Sequence, residues 1–242
     1  SVTITINDNE ATPTVTLTVS ATSIAENAGT SLTLTATLSK TASEDVTVTL
    51  GTSGSATEGT DYGSLSNITV SAGSLTGTTT FTPTDDSIYD ATSNETATVS
   101  IDSVSGGDAL ENGTQSVTIT ITDNESAPTV TLARSAAAID ENSSSTVTIT
   151  ATLSNATYQD VTVSIGASGG TEGTDYATIS DITISAGSTT GTTSLDPTDD
   201  SVYEDDEAVT VTIDGVSGGN ASESGSQSVT ITITENESAP TV

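Results

Sequence analysis

Alternation of apolar and polar residues over short runs is the feature that most limits how this chain can fold. In the segment SLTLTATLS, the residues Leu32, Leu34, Ala36 and Leu38 alternate with threonine or serine. Successive side chains of a strand point to opposite faces, so this period of two places the apolar residues on one face of a half-buried strand. The same period recurs in DVTVTLG, NITV, TATVSI and SVTITI, and no helical period competes with it. The alternation therefore predicts an ordered all-β protein, although a net charge of −31 is otherwise typical of disorder.

The sequence also repeats itself. SVTITI begins at Ser1, Ser116 and Ser228, and EGTDY begins at Glu58 and Glu172, so the repeat length is 112 to 115 residues. A unit of this size with roughly seven alternating strands, separated by Gly, Ser and Asn turns, is typical of an immunoglobulin-like β-sandwich. We therefore predict tandem immunoglobulin-like antiparallel β-sandwich domains, with a barrel of similar strand count as the alternative.

The repeats predict where the units begin and end. SVTITI closes a unit at Ser116 and at Ser228, so its copy at Ser1 is expected to close a preceding unit. The predicted organisation is residues 1–12 as that closing strand with its linker, 13–125 as repeat 1, 126–127 as a linker, 128–237 as repeat 2, and 238–242 as the start of a following repeat. A proline stands at each joint, which restricts the backbone there and argues against a floppy tether.

Composition excludes several classes of function. The chain has no Cys or His, so a thiol nucleophile, an imidazole base and an ordinary zinc site are excluded, and we predict that the chain is not an enzyme. Lys40 and Arg134 are the only cations. Binding to nucleic acid or to an anionic membrane surface requires clusters of Lys and Arg, so neither is expected as a partner. No apolar run approaches the roughly 20 residues that span a bilayer.

The acidic residues concentrate in loops and at strand ends. TDDSIYDATSNE begins at Thr84, and the related segment TDDSVYEDDE begins at Thr198, while the strands themselves carry mainly threonine. Clustered carboxylates repel one another unless a cation lies among them, and Ca²⁺ binds six to eight oxygen ligands. The alternative interpretation is solvated surface charge without an ion. Two weaker alternatives are an ice-binding face of alternating threonines and glycoside chemistry by a carboxylate pair.

Four motifs occur in the same order in both units. These motifs read SIAEN, EGTDY, TDDSIYD and VTITITDNE in the first unit, and AIDEN, EGTDY, TDDSVYEDDE and VTITITENE in the second. In this order they resemble the Calx-beta family, and the resemblance covers both units. It implies β-sandwich domains that hold calcium in loops at one end.

The resemblance also implies a set of calcium ligands, which are carboxylates together with one backbone carbonyl in each unit. In the first unit they are Glu26, Asp61, Asp85, Asp86, Asp90, Glu95, Asp123 and Glu125, with the carbonyl of Ile88. In the second unit they are Glu141, Asp175, Asp199, Asp200, Glu204, Glu207, Glu235 and Glu237, with the carbonyl of Val202. Asp8 and Glu10 match the closing motif alone. The two extra residues of the first acidic loop leave open whether Glu95 reaches the position of Glu207.

These features together predict a calcium-binding repeat array that acts as a spacer or stalk of a large cell-surface adhesin outside the cell. Its expected partners are neighbouring repeats of the same chain or fibre. One alternative is a repeat subunit of a self-assembling extracellular filament. Another is a calcium-sensing regulatory module, which the presence of two near-identical repeats favours less.

Overall fold

A computed structural model describes residues 2–4, 10–90 and 94–241 of the chain. Within these ranges the secondary structure consists of twenty strands without a helix, and so nothing there forms an apolar helix of membrane-spanning length. The chain divides into two compact units, Ser1–Asp86 with Thr92–Asn124 and Ser87–Ala91 with Glu125–Val242.

The described residues of the first half of the chain form ten strands, and five of them coincide with the alternating runs of the sequence. The ten strands are β1 (Thr14–Val19), β2 (Ser23–Ala25), β3 (Leu32–Leu38), β4 (Val46–Gly54), β5 (Ile68–Val70), β6 (Thr76–Phe81), β7 (Ile88–Tyr89), β8 (Glu95–Ser105), β9 (Leu110–Glu111) and β10 (Ser116–Thr122). In the first unit they form a four-stranded sheet in the order β6-β3-β1-β9 and a five-stranded sheet in the order β2-β10-β8-β4-β5.

The second half of the chain repeats this arrangement. Its strands are β11 (Thr129–Arg134), β12 (Ala138–Asp140), β13 (Val147–Leu153), β14 (Ala156–Thr157), β15 (Val161–Ser168), β16 (Ile182–Ile184), β17 (Thr190–Leu195), β18 (Glu207–Ser217), β19 (Ser222–Glu223) and β20 (Ser228–Thr234). The sheets have the orders β17-β13-β11-β19 and β12-β20-β18-β15-β16, which match the first unit strand for strand. The prediction of tandem immunoglobulin-like sandwiches is therefore confirmed.

Each unit has nine strands in its two sheets, where the sequence predicted roughly seven. The strands that the sequence did not predict include β2 and β9. They contain three and two residues and are too short to display a period of two. Both pair in parallel, β2 with β10 and β9 with β1, whereas the other pairs within the two sheets of this unit are antiparallel. The parallel pair of β2 and β10 proves important for the acidic residues.

The core of each unit lies between its sheets and is made mainly of Val, Ile and Leu. In the first unit Tyr62 and Phe81 are buried and their rings stack with centroids 4.6 Å apart. In the second unit Tyr176 is likewise buried, but Leu195 stands in the place of Phe81 at the end of the equivalent strand.

Two short strands lie outside this repeated pattern. Strand β7 pairs in parallel with β14, with Ile88 opposite Ala156 and Tyr89 opposite Thr157. The second compact unit includes residues 87–91, and so this pair belongs to that unit. Neither strand has a counterpart at the equivalent position of the other repeat, where the described residues form no strand.

The expected closing strand at the beginning of the chain does not form among residues 2–4. Val2 and Ile4 are 90% and 81% exposed and lie outside any strand. The copies of this segment, β10 and β20, each pair with two strands of their own unit, and residues 2–4 have no such pairing. Asp8 lies outside the described residues.

Candidate metal centre

Parallel pairing brings the first acidic residues together. Strand β12 runs parallel to β20 with Asp140 opposite Thr234, and the next N–H, that of Glu141, donates to the Thr234 carbonyl at 3.0 Å. Parallel strands end at the same edge of a sheet, so Glu141 meets the residues that follow β20. Oxygen atoms of Glu141, Glu235 and Glu237 lie within 4.8 Å of one another. We call these three residues the closing triad of the second unit.

The second group of acidic residues lies beside the closing triad. Glu207 begins β18, which is antiparallel to β20, so the start of β18 lies at the edge where β20 ends. Asp175 belongs to the turn of EGTDY, whose Tyr176 forms a bridge with Pro197 just before the acidic loop. Asp175, Glu204 and Glu207 contribute oxygen atoms within 4.8 Å of one another, and they form the loop triad.

Hydrogen bonds connect the two triads. Glu235 Oε2 accepts the backbone N–H of Glu204 at 2.5 Å, and Glu141 Oε1 accepts the N–H of Asp200 at 3.1 Å. Asp175 is 7% exposed, and its Oδ2 accepts the N–H of Thr171. The acidic loop is thus attached to the closing triad through its own backbone.

Loss of solvent contact, hydrogen bonds and neighbouring charges shift the pKa of several of these groups. Loss of solvent contact, with the charges of Asp175 and Glu204, raises the pKa of Glu207 above its ordinary value. The pKa values of Glu141 and Glu204 are raised in the same direction, also mainly by loss of solvent contact. Hydrogen bonding with Glu235, followed by loss of solvent contact, raises the pKa of Glu237 to about 7. Hydrogen bonds from Glu237 and Glu204 lower the pKa of Glu235 to about 2.

The geometry satisfies two tests for calcium. Ca²⁺ binds oxygen at about 2.3–2.6 Å, so two ligands of one ion lie at most about 5 Å apart. The ligand oxygen atoms of each triad lie within 4.8 Å of one another and so meet this condition. In addition, Glu237 Oε2 is buried and has no hydrogen-bond partner among the described residues. A buried carboxylate oxygen without a donor is stabilised by a cation, so the closing triad fits a divalent ion with hard oxygen ligands.

The first unit contains an equivalent pair of carboxylates at the same strand ends. Glu125, the third ligand predicted there, falls in the second compact unit. Ala25 lies opposite Thr122 in the parallel pair of β2 and β10, and Glu26 and Asp123 have oxygen atoms within 4.8 Å of each other. A cavity of about 230 Å³ beside this pair is lined by Glu26 and Asp85, among others.

A loop triad equivalent to that of the second unit is not found among the described residues of the first unit. Asp61 occupies the place of Asp175, and its Oδ2 accepts the N–H of Thr57 at 2.6 Å. Glu95 lies opposite Ile121, as Glu207 lies opposite Ile233, so the two extra loop residues leave its strand position unchanged. Asp90, however, belongs to the segment 87–91 that is part of the second unit.

The remaining predicted residues have the following places. Asp86 is exposed, and Ile88 lies in β7. The charge of Asp199 contributes to the raised pKa of Glu237. Val202 is 58% exposed, and its N–H donates to Asp200 Oδ1 at 2.6 Å. Glu10 lines a different cavity of the first unit.

Sequence reasoning missed Asp206, which was passed over as one of several charges in EDDE. Asp206 Oδ1 accepts the N–H of Glu235 at 3.1 Å and so helps to position the central residue of the site. It also missed the backbone N–H of Asn124, which donates to Glu26 Oε1 at 3.3 Å. The sequence gives no signal for a backbone donor. For Asp206 there was a signal, because it lies between the candidate ligands Glu204 and Glu207.

The fold and these clusters define a class of protein: tandem immunoglobulin-like sandwiches with clustered carboxylates at the strand ends of one edge. Residues 8–125 match the family model of the Calx-beta domain, and residues 126–236 match that of the LapA domain. The two units are thus Calx-beta-like repeats, of which the first matches the Calx-beta domain and the second the LapA domain.

Several solved structures are similar to the chain at low sequence identity. CBD12 from CALX1.2 is 14% identical with a TM-score of 0.41, over 90% of this chain and 99% of that one. Invasin, a bacterial integrin-binding protein, is 19% identical with a TM-score of 0.41, over 92% of this chain and 40% of that one. The adhesin InvE of Yersinia pseudotuberculosis is 15% identical with a TM-score of 0.35, over 90% and 58%. The comparison with curated protein sequences gave no match.

Proposed function

We propose that the chain is a calcium-binding structural segment, the spacer or stalk of a large cell-surface adhesin. The observation that carries the proposal is the closing triad of the second unit, and Glu26 and Asp123 lie at the equivalent strand ends of the first unit. The match of residues 8–125 to the Calx-beta domain supports calcium as the ion. The role is structural and involves no catalysis, in keeping with a chain that lacks Cys and His.

Calcium would act on the mechanics of each unit. One ion in the closing triad of the second unit joins the end of β12 to the residues after β20, which is the last strand of the unit. The loop triad adds the start of β18 and the EGTDY turn to the same centre. The end from which the chain leaves the sandwich is thereby cross-linked, so calcium would stiffen the array where successive units join.

The proposed calcium sites favour an extracellular location. Extracellular calcium modules bind with dissociation constants of about 0.1–1 mM, so such sites fill outside the cell and empty in the cytosol. Without the ion, the raised pKa values of Glu141, Glu204 and Glu207 reflect loss of solvent contact first and repulsion between neighbouring carboxylates second, both of which disfavour the charged form. Calcium removes this cost and stabilises the folded state.

Thermal unfolding of the whole chain tests the proposal, in millimolar calcium, in chelator, and in magnesium as the control. Binding to the folded state alone raises the melting temperature, with about 2.7 kcal/mol for each ion at 100 times its dissociation constant. We expect a large rise that is specific to calcium. An equal melting temperature in all three conditions would leave the acidic loops as solvated charge.

Small-angle scattering tests the stiffening separately. If the distribution of interdomain angles is equally broad in calcium and in chelator, the ion stabilises the units without fixing their joint. The filament alternative predicts association between copies, for which the structure offers a specific surface.

A further inference from the structure

The second unit contains a groove that is filled by a short strand. Ala156 and Thr157 of β14 are 8% and 1% exposed and pair with Ile88 and Tyr89 of β7. The hydroxyl of Tyr89 also accepts a hydrogen bond from the Asn220 side-chain amide at 3.3 Å. A two-residue strand and one aromatic side chain are therefore enough to cover this edge.

Among the described residues, no strand covers the equivalent groove of the first unit. The carbonyls of Ala42 and Thr157 accept equivalent hydrogen bonds, from the N–H groups of Gly73 and Gly187, which places Thr41 and Ala42 at the positions of Ala156 and Thr157. Thr41 is exposed and lies outside any strand. These residues line a cavity of about 580 Å³. Its lining includes Pro13, Lys40, Thr41, Ala42, Gly107 and Asp108.

The chain also exposes a second copy of the strand that fills the groove. The segment DDSVYE repeats DDSIYD, so Val202 and Tyr203 correspond to Ile88 and Tyr89. Val202 is 58% exposed and Tyr203 is 42% exposed, and they lie outside any strand. The two side chains are neighbours and together form an apolar patch. Exposed apolar patches are typical of docking surfaces.

Side-chain chemistry matches this segment to the open groove. Asp108 and Asn220 share the same unusual backbone conformation, with φ of 50° at both, and occupy equivalent positions. The Asp108 carboxylate is an acceptor, so the hydroxyl of Tyr203 would donate to it where Tyr89 accepts from Asn220. Lys40 lies in the lining where Asn155 stands in the second unit, but Glu10, Glu44 and Asp108 also line the cavity. The match therefore lies in the tyrosine contact and the repeated segment, and not in net charge.

We infer that Ser201–Tyr203 of one copy of the chain docks as a parallel strand against Thr41 and Ala42 of a second copy. The donor segment and the open groove are different surfaces of the molecule, so the contact is head-to-tail and can be repeated by every added copy. Main-chain hydrogen bonds would supply affinity, and the Val and Tyr side chains would supply specificity, as in other cases of strand addition. The inference does not depend on calcium binding.

Disulfide trapping tests this register directly, because the chain contains no cysteine of its own. The test variant carries Thr41→Cys with Val202→Cys, the pair expected to lie opposite each other. The positive control carries Ile88→Cys with Ala156→Cys, which the structure already pairs within one unit. The negative control carries Thr30→Cys with Val202→Cys, which joins the same donor to an exposed residue outside the groove. Mild oxidation is performed at about 0.15 M salt so that repulsion between the acidic chains is screened.

The expected result is a ladder of dimers, trimers and longer species for the test variant and an internal bond for the positive control. The ladder should weaken when Tyr203→Ser is added, because the anchoring side chain is lost. The inference is overturned if the test variant gives no more disulfide-linked oligomer than the negative control, while the positive control forms its internal disulfide. A ladder that is unchanged by Tyr203→Ser also contradicts docking in this register.

Discussion

The backbone N–H of Glu237 donates to Glu235 Oε1 at 2.8 Å, so two acidic residues two positions apart are fixed side by side. Glu235 also accepts from the N–H groups of Asn236 and Glu204, whereas Glu237 Oε2 is buried without a partner among the described residues. The Glu235 carboxylate is therefore stabilised by backbone N–H groups. The Glu237 carboxylate has an oxygen that a bound cation would stabilise.

The first prediction concerns pH. The pKa of Glu237 is raised to about 7 from 4.5, so between these values the folded state holds a proton that the unfolded state has released. The stability of the calcium-free chain should therefore fall as pH rises from about 4.5 to 7. Melting temperatures in chelator at several pH values check this, and a flat profile across the window would contradict it.

Glu235 has the opposite effect at lower pH. Its pKa is lowered to about 2, so its stabilising hydrogen bonds are fully present above about pH 4.5 and are lost as pH falls toward 2.

Calcium must displace the proton of Glu237, so calcium affinity should increase as pH rises through 7 and binding should release protons. Calorimetry in buffers of different ionisation enthalpy measures this release.

The second prediction separates the closing triad from general surface charge. Glu237→Gln removes repulsion from the calcium-free centre and also removes a ligand, so it should raise stability in chelator and weaken calcium binding by about tenfold or more. Asp205→Asn is the matched control, because Asp205 is an exposed carboxylate of the same loop outside both triads. Equal losses of calcium affinity in the two variants would mean that bulk charge, rather than the triad, attracts the ion.

The third prediction concerns the connection between triads. Glu235 is a ligand candidate of the closing triad, and its Oε2 also holds the N–H of Glu204 in the loop triad. Glu235→Gln should therefore lower calcium binding at both triads, whereas Glu207→Gln should affect mainly the loop triad. Calorimetric titration gives the number of ions and their affinities for each variant. A loss of only one ion in Glu235→Gln would show that the triads act independently.

The fourth prediction uses the difference between the two cores. Phe81→Ala should destabilise the first unit by about 3–5 kcal/mol because it opens a cavity beside Tyr62. Phe81→Leu reproduces the residue found in the second unit and should cost only about 1.5 kcal/mol, chiefly the lost aromatic contact. Leu195→Ala is the matched control and should shift the unfolding of the second unit alone. Calorimetry resolves the two transitions, and a shift of both by one variant would contradict independent cores.

Much of the fold could be predicted from the sequence because its strongest signals are local. The period of two located β3, β4, β5, β8 and β10, and the repeat located their copies. Strands β2 and β9 could not be predicted, because two or three residues carry no period and their parallel pairing depends on the folded chain. The parallel pair of β2 and β10 is nevertheless what places Glu26 beside Asp123.

The candidate site was predictable as a set of residues but not as an arrangement. The motifs named all six members of the two triads in the second unit. They could not show that Asp206 holds the backbone of Glu235, or that the segment containing Asp90 belongs with the second unit. Calcium as the ligand of these groups stays a prediction.

The strand order of each sandwich also determines how the chain would respond to tension. The first strand of the first unit, β1, lies between β3 and β9, and its last strand, β10, lies between β2 and β8. A pulling force that enters through either strand therefore meets hydrogen bonds on both sides. When the force runs along the strand, these bonds lie across it and break together in shear instead of one after another. The second unit has the same order, so each sandwich resists extension at both of its ends.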